Sequence, residues 1–435
     1  MINNHPHKNG GTGQHPDSYY NATANAMRDF PKLTGDQRCD ICVIGGGFTG
    51  LSSALHLKEL GYDVILLEAH RIGWGASGRN GGQLGSGQRV GQDSLENMVG
   101  TDEARILWDL GEESKNLVKD LIQKHNIKCD LKPGILHAAH KKRYMPDYRA
   151  EVDKLQKKYD YEPIRFVDED EMADMLGMRT YYGGTLDTGA YHLHPLNLAL
   201  GLGDACHKAG VRIYENSTVL NYTENDKITI NTPEGTVKAD QLILGCNGYL
   251  GNLEPRLAGK IMPINNFVVA TEPLGEERAR QINRDDVAIA DSKFVINYFR
   301  MSADHRLLFG GGENYTPGFP KDLASFVRKY MLEIYPSLDD VKIDYAWGGA
   351  LAITMNRLPH VGKLGSNIFY AQGFSGHGVG TATLAGKIMA QAIQGNHTNF
   401  NVFEKLPTYP FPGGRTLRWP MMVLGMMYYA LRDRI

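Results

Sequence analysis

Three glycine-rich segments hold the residue types and spacings of this chain that are best suited to chemistry. The first, Gly45–Gly50, has the sequence GGGFTG and lies between an apolar strand pattern and a helix pattern. Glu68 stands 18 residues after Gly50, at the end of the next apolar run. Glycines at this spacing let backbone N–H groups approach a pyrophosphate, and an acidic residue on the second strand accepts hydrogen bonds from a ribose. The pattern predicts a dinucleotide-binding β-α-β unit; the alternative is a glycine-rich turn in another α/β fold.

The second and third segments indicate which dinucleotide is bound. Gly73–Gly91 follows the Glu68 strand directly, and a cofactor whose reactive ring lies far from its adenine needs such a backbone loop alongside it. Gly373–Gly380 leads into a helix pattern, and the N–H groups at a helix start stabilise the negative charge that a flavin ring gains on reduction. Both features favour FAD over NAD. His377, in the third segment, either contacts the flavin or substrate or braces the turn.

The composition excludes other classes of protein. Lys and Arg total 47 and Asp and Glu total 49 in 435 residues, a balance that gives no electrostatic reason to bind nucleic acid. The N-terminus is polar, and no apolar run reaches the roughly 18 residues of a membrane span. The five cysteines are too sparse for a disulfide framework. We therefore expect a cytoplasmic protein without a transmembrane segment.

Neither the cysteines nor the N-terminal histidines predict a metal site. Cys39 and Cys42 match C-x-x-C, but regular alternation along a strand would place their sulfurs on opposite faces. No second pair of cysteines completes a zinc ligand set. His5, His7 and His15 lie in a polar segment that is typical of a mobile tail. We expect no bound metal.

The order of the predicted elements indicates an α/β fold. A FAD-binding Rossmann-like domain is interrupted by an α+β substrate domain, a mixed β-sheet flanked by helices, because strand–glycine turn–helix units occur near the beginning and near the end of the chain. The expected divisions are an N-terminal extension (1–38), the FAD-binding domain (39–90, 188–265 and 345–398), the substrate domain (91–187 and 266–344) and a C-terminal tail (399–435).

Hydrophobic periodicity also predicts individual elements. Helices are expected at 102–126, 141–159, 195–209 and 322–335. Strands are expected at 217–223, 227–231, 235–244, 266–271, 294–300 and 306–310. An apolar stretch at 419–431 predicts a docked helix that is too short to cross a membrane.

The chain resembles a known superfamily. CVIGGGFTGLSSALHL, LLEAHRIGWGASGRNGGQ, HLHPLNLALG and QGFSGHGVGTATLAG are similar to the FAD amine oxidases that include D-amino-acid, glycine and sarcosine oxidases. Within that superfamily, GWGASGRNGGQ, YHLHPLNLALG and the closing YPFPGGRTLRWPMMVLGMMYYALRD resemble bacterial gamma-glutamylputrescine oxidases. The resemblance implies oxidation of the primary amine of gamma-glutamylputrescine, in putrescine catabolism, by hydride transfer to flavin N5. The products would be the gamma-glutamyl aminobutyraldehyde, ammonia and hydrogen peroxide.

The same resemblance bears on how the cofactor is held. Monomeric sarcosine oxidases attach FAD through a cysteine shortly before the segment that corresponds here to ITMNRLPHVG. The last cysteine of this chain is Cys246, far from that segment, so we expect non-covalent FAD. The residues expected to bind it are Gly45, Gly47, Phe48, Thr49, Gly50, Glu68, Ala69, Arg71, Ala76, Ser77, Arg79, Asn80, Gly81, Gly82, Gln83, Val219, Asn247, Gly248, Gly373, Gly376, His377, Gly378, Val379, Gly380 and Thr381.

Amine oxidation requires the neutral amine, because an ammonium has no lone pair to assist hydride loss. Desolvation in an apolar pocket lowers the pKa of an amine, so we expect aromatic side chains around the reacting end. His377, Trp347 and Tyr298 are the candidate catalytic residues, and Arg79, Tyr298, Arg300 and Trp347 are the candidate substrate-binding residues. For each aromatic residue, ordinary core packing is the alternative.

Other functions fit the same motifs. The substrate could be another amine or amino acid, such as an N-methyl amino acid or pipecolate, and the electrons could pass to a carrier protein instead of O2. A non-catalytic flavin-binding protein is a remote alternative. The expected partners are a small amine and O2, without nucleic acid, and a homo-oligomer stays open.

Overall fold

The computed structural model describes residues 13–312, 318–412, 420, 421 and 423–425. His5 and His7 lie outside this part of the chain, as does most of the apolar stretch at 419–431 that was expected to form a helix. In the described part, no helix is long and apolar enough to cross a membrane.

The described strands fall into two sheets. In chain order they are β1 (Gly35–Ile44), β2 (Val64–Leu67), β3 (Gln83–Leu84), β4 (Lys132–Ala138), β5 (Ile164–Val167), β6 (Gly184–His192), β7 (Arg212–Tyr214), β8 (Asn221–Glu224), β9 (Ile228–Asn231), β10 (Gly235–Leu244), β11 (Met262–Thr271), β12 (Ala288–Asp291), β13 (Tyr298–Met301), β14 (Leu307–Gly310), β15 (Ile343–Ile353), β16 (His360–Leu364) and β17 (Ile368–Gln372).

Helices cover both sheets. They are α1 (Tyr19–Ala22), α2 (Phe48–Glu59), α3 (Gln92–Val99), α4 (Thr101–Lys124), α5 (Met145–Tyr159), α6 (Glu169–Leu176), α7 (Pro195–Ala209), α8 (Pro255–Ala258), α9 (Glu276–Ile282), α10 (Leu323–Ile334), α11 (Gly378–Ile393) and α12 (Thr398–Glu404).

The first sheet is a doubly covered parallel sheet. Its strands β17, β10, β1, β2 and β7 are parallel neighbours in that order, and β16 adds an antiparallel edge. Val43 and Leu66 face one buried apolar cluster, whereas Ile44 and Leu67 face another. Both faces are buried, which explains why these strands are nearly continuous apolar runs. The carboxyl ends of β1 and β2 lead directly into Gly45–Gly50 and Glu68.

The second sheet is mixed and largely antiparallel. Its order is β15-β11-β14-β13-β12-β4-β6-β3, with β5 paired to β6. Helices α6, α9 and α10 pack on it through a separate apolar cluster that includes Met172, Ile282 and Met331. The short strand β3, which lies within the glycine-rich segment Gly73–Gly91, pairs with β6 of this sheet, so the chain passes from one sheet to the other at Gln83. The overall architecture is the expected α/β fold with an additional mixed sheet.

Most predicted elements are present, with one instructive difference. Helix α7 spans the expected 195–209, and α4, α5 and α10 lie within a few residues of their expected positions. Of the strand expected at 217–223, only residues 221–223 form a strand, in β8, and the separate strand β7 ends before it at Tyr214. Asn216 adopts φ +50°, and the Ser217 N–H donates to the Glu68 carbonyl at 2.8 Å, so the chain turns there. Apolar periodicity does not detect a left-handed residue of this kind.

The two sulfurs of the C-x-x-C segment do not face opposite sides, as alternation had suggested. Cys39 and Cys42 belong to the same buried apolar cluster. The N–H groups of Asp40 and Ile41 both donate to the Asp63 carbonyl, so the strand is irregular between the cysteines and alternation is lost. Both thiols are free, and burial raises the pKa of each. In the described ranges no cluster of His, Cys, Asp or Glu could hold a metal ion.

The N-terminal segment is docked from Gly13 onward, so the expectation of a mobile tail is wrong for His15. Tyr20 is fully buried, with its ring centroid 5.2 Å from that of Trp347. The Trp74 indole N–H donates to the Gln14 carbonyl at 2.6 Å. The sequence signal for docking is the aromatic pair Tyr19–Tyr20, which follows Ser18, the N-cap of α1.

Candidate functional site

The glycine turn after β1 has the geometry that a pyrophosphate requires. Gly45 adopts φ +109°, and its N–H donates to the Leu67 carbonyl at 2.8 Å. A Cβ added to Gly50 would lie 1.9 Å from the Gly45 carbonyl oxygen, so only glycine allows α2 to start this close to the turn. Gly47 is the N-cap of α2, and it provides no side chain to block the N–H groups there. The first N–H groups of a helix have no partner within the helix, so a helix start of this kind can bind an anion.

Glu68 is fixed at the end of β2. One carboxylate oxygen accepts from the Gly46 N–H at 2.6 Å and the other from the His70 N–H at 2.8 Å. Burial raises the pKa of Glu68 to about 7, against the lowering effect of these two hydrogen bonds. Each oxygen keeps lone-pair capacity, so the carboxyl group can also accept from ribose hydroxyls. Ribose binding by Glu68 stays a prediction.

The second glycine-rich segment is tied to the first. Ser77 Oγ accepts from the Phe48 N–H, in the first turn of α2, at 3.0 Å. The Asn80 side-chain amide donates to the Ala76 carbonyl at 2.9 Å, and its oxygen accepts from the Gly82 N–H at 2.8 Å. Hence the loop is rigid, and it runs from the helix start toward the second sheet.

Arg79 and Trp347 lie together behind this loop. Arg79 donates from Nε to the Trp74 carbonyl at 2.6 Å and from Nη1 to the Gly348 carbonyl at 3.0 Å. Its guanidinium carbon lies 4.1 Å from the centre of the Trp74 ring. Trp347 is fully buried and donates its indole N–H to the Arg79 carbonyl at 3.0 Å. In this arrangement both side chains brace the loop, and the contact of either with substrate stays a prediction.

Tyr298 and Arg300 connect the same loop to β13. The Arg300 guanidinium donates to the carbonyls of Gly81 at 2.9 Å and Leu193 at 2.8 Å, with further bonds to the Met301 carbonyl and the Tyr20 hydroxyl. These bonds occupy most of its N–H donors and hold the loop against β13. The structure therefore does not support the prediction that Arg300 binds a substrate carboxylate. Tyr298 packs against Gly81 and donates its hydroxyl proton to Asn266.

The third glycine-rich segment faces the second. Gly373 adopts φ +74°, and its N–H donates to Asn247 Oδ1 at 2.9 Å. His377 is the N-cap residue of α11, and Thr381 Oγ1 donates to its carbonyl. The ring of His377 packs against Gly85, where an added Cβ would lie 2.8 Å from Cε1. The second and third segments thus meet at His377, as the cofactor hypothesis requires.

His377 is held as a neutral imidazole. Burial lowers its pKa to about 4, and the positive charge of Arg89 lowers it further. Nε2 lies 3.2 Å from the Gly87 carbonyl oxygen, which can only accept, so we assign the proton to Nε2. Nδ1 then carries a lone pair that can accept a hydrogen bond from an amine. The ring braces the contact between the two segments, and its contact with flavin or substrate stays a prediction.

The other expected cofactor residues occupy varied positions. Arg71 forms ion pairs with Glu215 and Asp29, each at 2.8 Å. Gln83 donates to the Ile289 carbonyl at 2.9 Å and thus belongs to the second sheet. Gly248 packs against the backbone of β15, and Val219 is half-buried beside β8. The remaining members lie within the three segments already described or beside Glu68: Thr49, Ala69, Gly376, Gly378, Val379 and Gly380.

Sequence reasoning missed a buried polar network beside His377. Lys115 Nζ contacts Glu112 at 2.8 Å, Tyr161 Oη at 3.1 Å and Ser86 Oγ at 2.5 Å. Asp187 accepts from Tyr161 at 2.6 Å and from Ser86 at 2.5 Å. The available signal was Lys115 itself, a charged residue on the otherwise apolar face of α4.

The residues present fit FAD. The glycine turn and Glu68 suit an adenosine pyrophosphate, and the meeting of the second and third segments at the start of α11 suits an extended ring system. None of these loops carries a cysteine, and Cys246 is a free thiol whose pKa burial raises to about 12.

Comparisons with known proteins agree with this geometry. Residues 40–392 match the family model of the DAO FAD-dependent oxidoreductases. The chain is 41% identical over 423 residues to the gamma-glutamylputrescine oxidoreductase of Escherichia coli K12, covering 97% of this chain and 99% of that protein. It is 40% identical to a probable oxidoreductase, OrdL, of Rhizobium meliloti, covering 96% and 97% of the two chains.

A solved structure supports the fold. The glycine oxidase of Geobacillus kaustophilus superposes with a TM-score of 0.68 at 20% identity, covering 82% of this chain and 95% of that one. Such a likeness concerns the fold alone. The family match, with two relatives near 40% identity over almost their full length, identifies the activity class and the cofactor. The chain belongs to the DAO family of FAD-dependent oxidoreductases.

Proposed function

We propose that this oxidoreductase acts on the primary amine of gamma-glutamylputrescine. The observation that carries the proposal is the 41% identity, over almost the full length of both chains, to a protein named gamma-glutamylputrescine oxidoreductase. The amine loses a hydride from its carbon and a proton from its nitrogen to give an imine, O2 finally takes up the two electrons and two protons, and water hydrolyses the imine. The products are the aldehyde, ammonia and hydrogen peroxide. FAD is held without a covalent bond, and the reaction takes place in the cytoplasm.

Bound FAD supplies the two-electron acceptor for this chemistry. Gly45–Gly50 and Glu68 would hold the adenosine half, and Ser77 and Asn80 fix the loop that follows. The segment 376–381, which leads into α11, would provide the positive end of the helix dipole to the flavin. Each of these roles uses backbone donors or short polar side chains.

His377 orients the amine in this proposal. Because its pKa is about 4, the imidazole stays neutral at the pH where the substrate amine begins to lose its proton. Nδ1 accepts one N–H of the amine and thereby directs the nitrogen lone pair toward the carbon that is oxidised. His377 is therefore a hydrogen-bond acceptor and not the residue that removes the proton.

An amine panel tests the substrate. The purified protein is mixed with gamma-glutamylputrescine, putrescine, an N-methyl amino acid or pipecolate, and peroxide and flavin absorbance are followed. We expect gamma-glutamylputrescine to give the highest kcat/KM, with peroxide formed in a 1:1 ratio to aldehyde. Faster oxidation of another amine in the panel would refute the substrate assignment. Flavin bleaching without peroxide would instead refute O2 as the acceptor.

A further inference from the structure

Arg89 belongs to the loop at 85–91, and its side chain reaches the loop at 373–377. None of the cofactor or substrate roles described above uses it. We propose that its guanidinium binds the carboxylate at the end of the substrate that is remote from the oxidised amine. The inference rests on the proposed function, because it requires an amine substrate that also carries a carboxylate.

The hydrogen bonding of Arg89 leaves most of its donors available. Nε donates to the Ser375 carbonyl at 3.2 Å. Within the described residues, Nη1 and Nη2 have no hydrogen-bond partner, and no carboxylate forms an ion pair with the group. The side chain is nonetheless half-buried, and this burial lowers its pKa. A sheltered guanidinium with a free edge is an unusual arrangement, since such groups are normally paired.

The other arginines near the cofactor loops differ from Arg89. Arg300 donates to three backbone carbonyls and a tyrosine hydroxyl, and Arg79 donates to two backbone carbonyls while stacking on Trp74. Arg71 is already paired with Glu215 and Asp29. Arg89 therefore has the guanidinium that is best placed to receive an external anion.

The loop that carries Arg89 is held in place. Gln88 donates from Nε2 to the Leu107 carbonyl of α4 at 2.8 Å, and the Gly87 N–H donates to Glu112 at 3.2 Å. Gly87 adopts φ +59°, and a Cβ on Gly111 would lie 2.3 Å from its carbonyl oxygen. Loop and helix are thus in direct backbone contact. Such anchoring lowers the conformational entropy that Arg89 loses when it binds a ligand.

In the part of the chain that the structure describes, no carboxylate forms an ion pair with Arg89 and only burial acts on its pKa. Lys115 is paired with Glu112, and Asp187 accepts bonds from Tyr161 and Ser86. His137 and His377 are the titratable groups influenced by Arg89, and burial lowers the pKa of both, so both are neutral. A bound carboxylate would supply the missing negative charge. Guanidinium and carboxylate also match in shape, because two parallel N–H···O bonds can form.

Arg89 lies near His377, where the two loops contact each other. His377 Nε2 binds the Gly87 carbonyl, and Arg89 Nε binds the Ser375 carbonyl. The amine-orienting imidazole and the guanidinium therefore both lie at the contact between the two loops. In gamma-glutamylputrescine the butyl chain and the side chain of the glutamyl group separate the reacting amine from the carboxylate. Arg89 would bind that distant end and leave the amine beside His377.

The test compares two substrates in matched variants. Arg89→Gln removes the charge, Arg89→Lys keeps it without the two-bond geometry, and Arg179→Gln removes an exposed charge elsewhere as a control. Each is assayed with gamma-glutamylputrescine and with N-butyrylputrescine, which has the same amine and amide but no carboxylate. FAD content and Tm are measured to confirm folding.

We expect Arg89→Gln to lower kcat/KM for gamma-glutamylputrescine about 30-fold or more, mainly through KM, with recovery of part of the loss in Arg89→Lys. The kcat/KM for N-butyrylputrescine should be the same in Arg89→Gln as in the unmodified enzyme. If Arg89→Gln lowers kcat/KM equally for both substrates, or for neither, the inference about Arg89 is wrong while the proposed function stands. Absence of flavin reduction in the unmodified enzyme with either amine would overturn the proposed function as well. If Arg89→Gln does not fold, the unmodified enzyme still decides: it should prefer the free carboxylate over its methyl ester, and no preference would contradict the inference.

Discussion

At the scale of single residues, the carboxyl group of Glu68 links cofactor binding to pH. Its pKa of about 7 in the folded protein exceeds the ordinary value of 4.5 because the side chain is buried. The folded protein therefore holds this proton more tightly than the unfolded chain does. Above pH about 4.5 the carboxyl group is ionised in the unfolded chain but still protonated in the folded protein, so the free energy of unfolding falls as the pH rises. This loss of stability is complete above pH about 7, where the folded protein is ionised too.

Glu68→Gln tests this coupling. We expect the variant to bind FAD about tenfold more weakly, because an amide is a poorer acceptor for ribose hydroxyls than a carboxylate. In the apoprotein, Tm of the variant relative to the unmodified protein should rise as pH increases from about 4.5 to about 7, since only Glu68 bears the ionisation cost. Fluorescence titration with FAD and thermal melts across pH measure both effects. A Tm difference that does not change with pH would disprove the coupling.

His377 makes a second prediction at this scale. With a pKa of about 4 it does not titrate between about pH 6 and 10, whereas the substrate amine approaches its pKa there. We expect kcat/KM to rise with pH in the unmodified enzyme and in His377→Asn alike, with the variant about tenfold lower throughout. Stopped-flow flavin reduction at several pH values checks this. A variant with a flat profile would show that His377, and not the amine, is the titrating group; His397→Asn is the control.

At the scale of elements, the start of α2 depends on glycine for packing reasons. Gly50→Ala would place Cβ 1.9 Å from the Gly45 carbonyl oxygen, which is backbone and cannot rotate away. The helix must then shift from the turn that binds the pyrophosphate. We expect most of the FAD to be lost on purification and the free energy of unfolding to fall by about 1–3 kcal/mol. Gly259→Ala is the matched control, because nothing lies within 4 Å of its added Cβ and its φ is negative. Equal FAD content in the two variants would contradict this explanation.

The sequence predicts elements well where a single period or motif decides them. The glycine turn, α2, β2 and Glu68 follow from local spacing, and α7 follows from Pro195 at its first turn. His194 caps α7 by accepting from the Asn197 N–H at 3.1 Å. Local spacing fails where one residue changes the course of the chain, as at Asn216 and in the irregular strand between Cys39 and Cys42.

At the scale of the whole molecule, the site depends on contacts between segments far apart in sequence. Arg300 and Trp347 each donate to a backbone carbonyl more than 200 positions away in the sequence, that of Gly81 and that of Arg79. No local pattern reports such partners. The same holds for Arg89, whose free guanidinium is visible only once the loops at 85–91 and 373–377 are placed together.

The two sheets alternate along the chain in the order that the predicted domains require, although the division itself stays a proposal. Helix α4, assigned to the substrate domain from its position, packs in the apolar cluster of the first sheet through Leu107 and Val118. The docked segment from Gly13 contacts Trp74, after β2 of the first sheet, through Gln14, and Trp347, in β15 of the second sheet, through Tyr20.

Anaerobic mixing of the purified holoenzyme with gamma-glutamylputrescine tests the central claim most directly. The account predicts complete loss of the oxidised flavin absorbance in a single exponential phase, whose rate saturates with substrate and rises with pH as the amine loses its proton. Admission of O2 should then restore the oxidised spectrum and release one peroxide for each flavin. Flavin that stays oxidised in the presence of saturating gamma-glutamylputrescine would contradict the account.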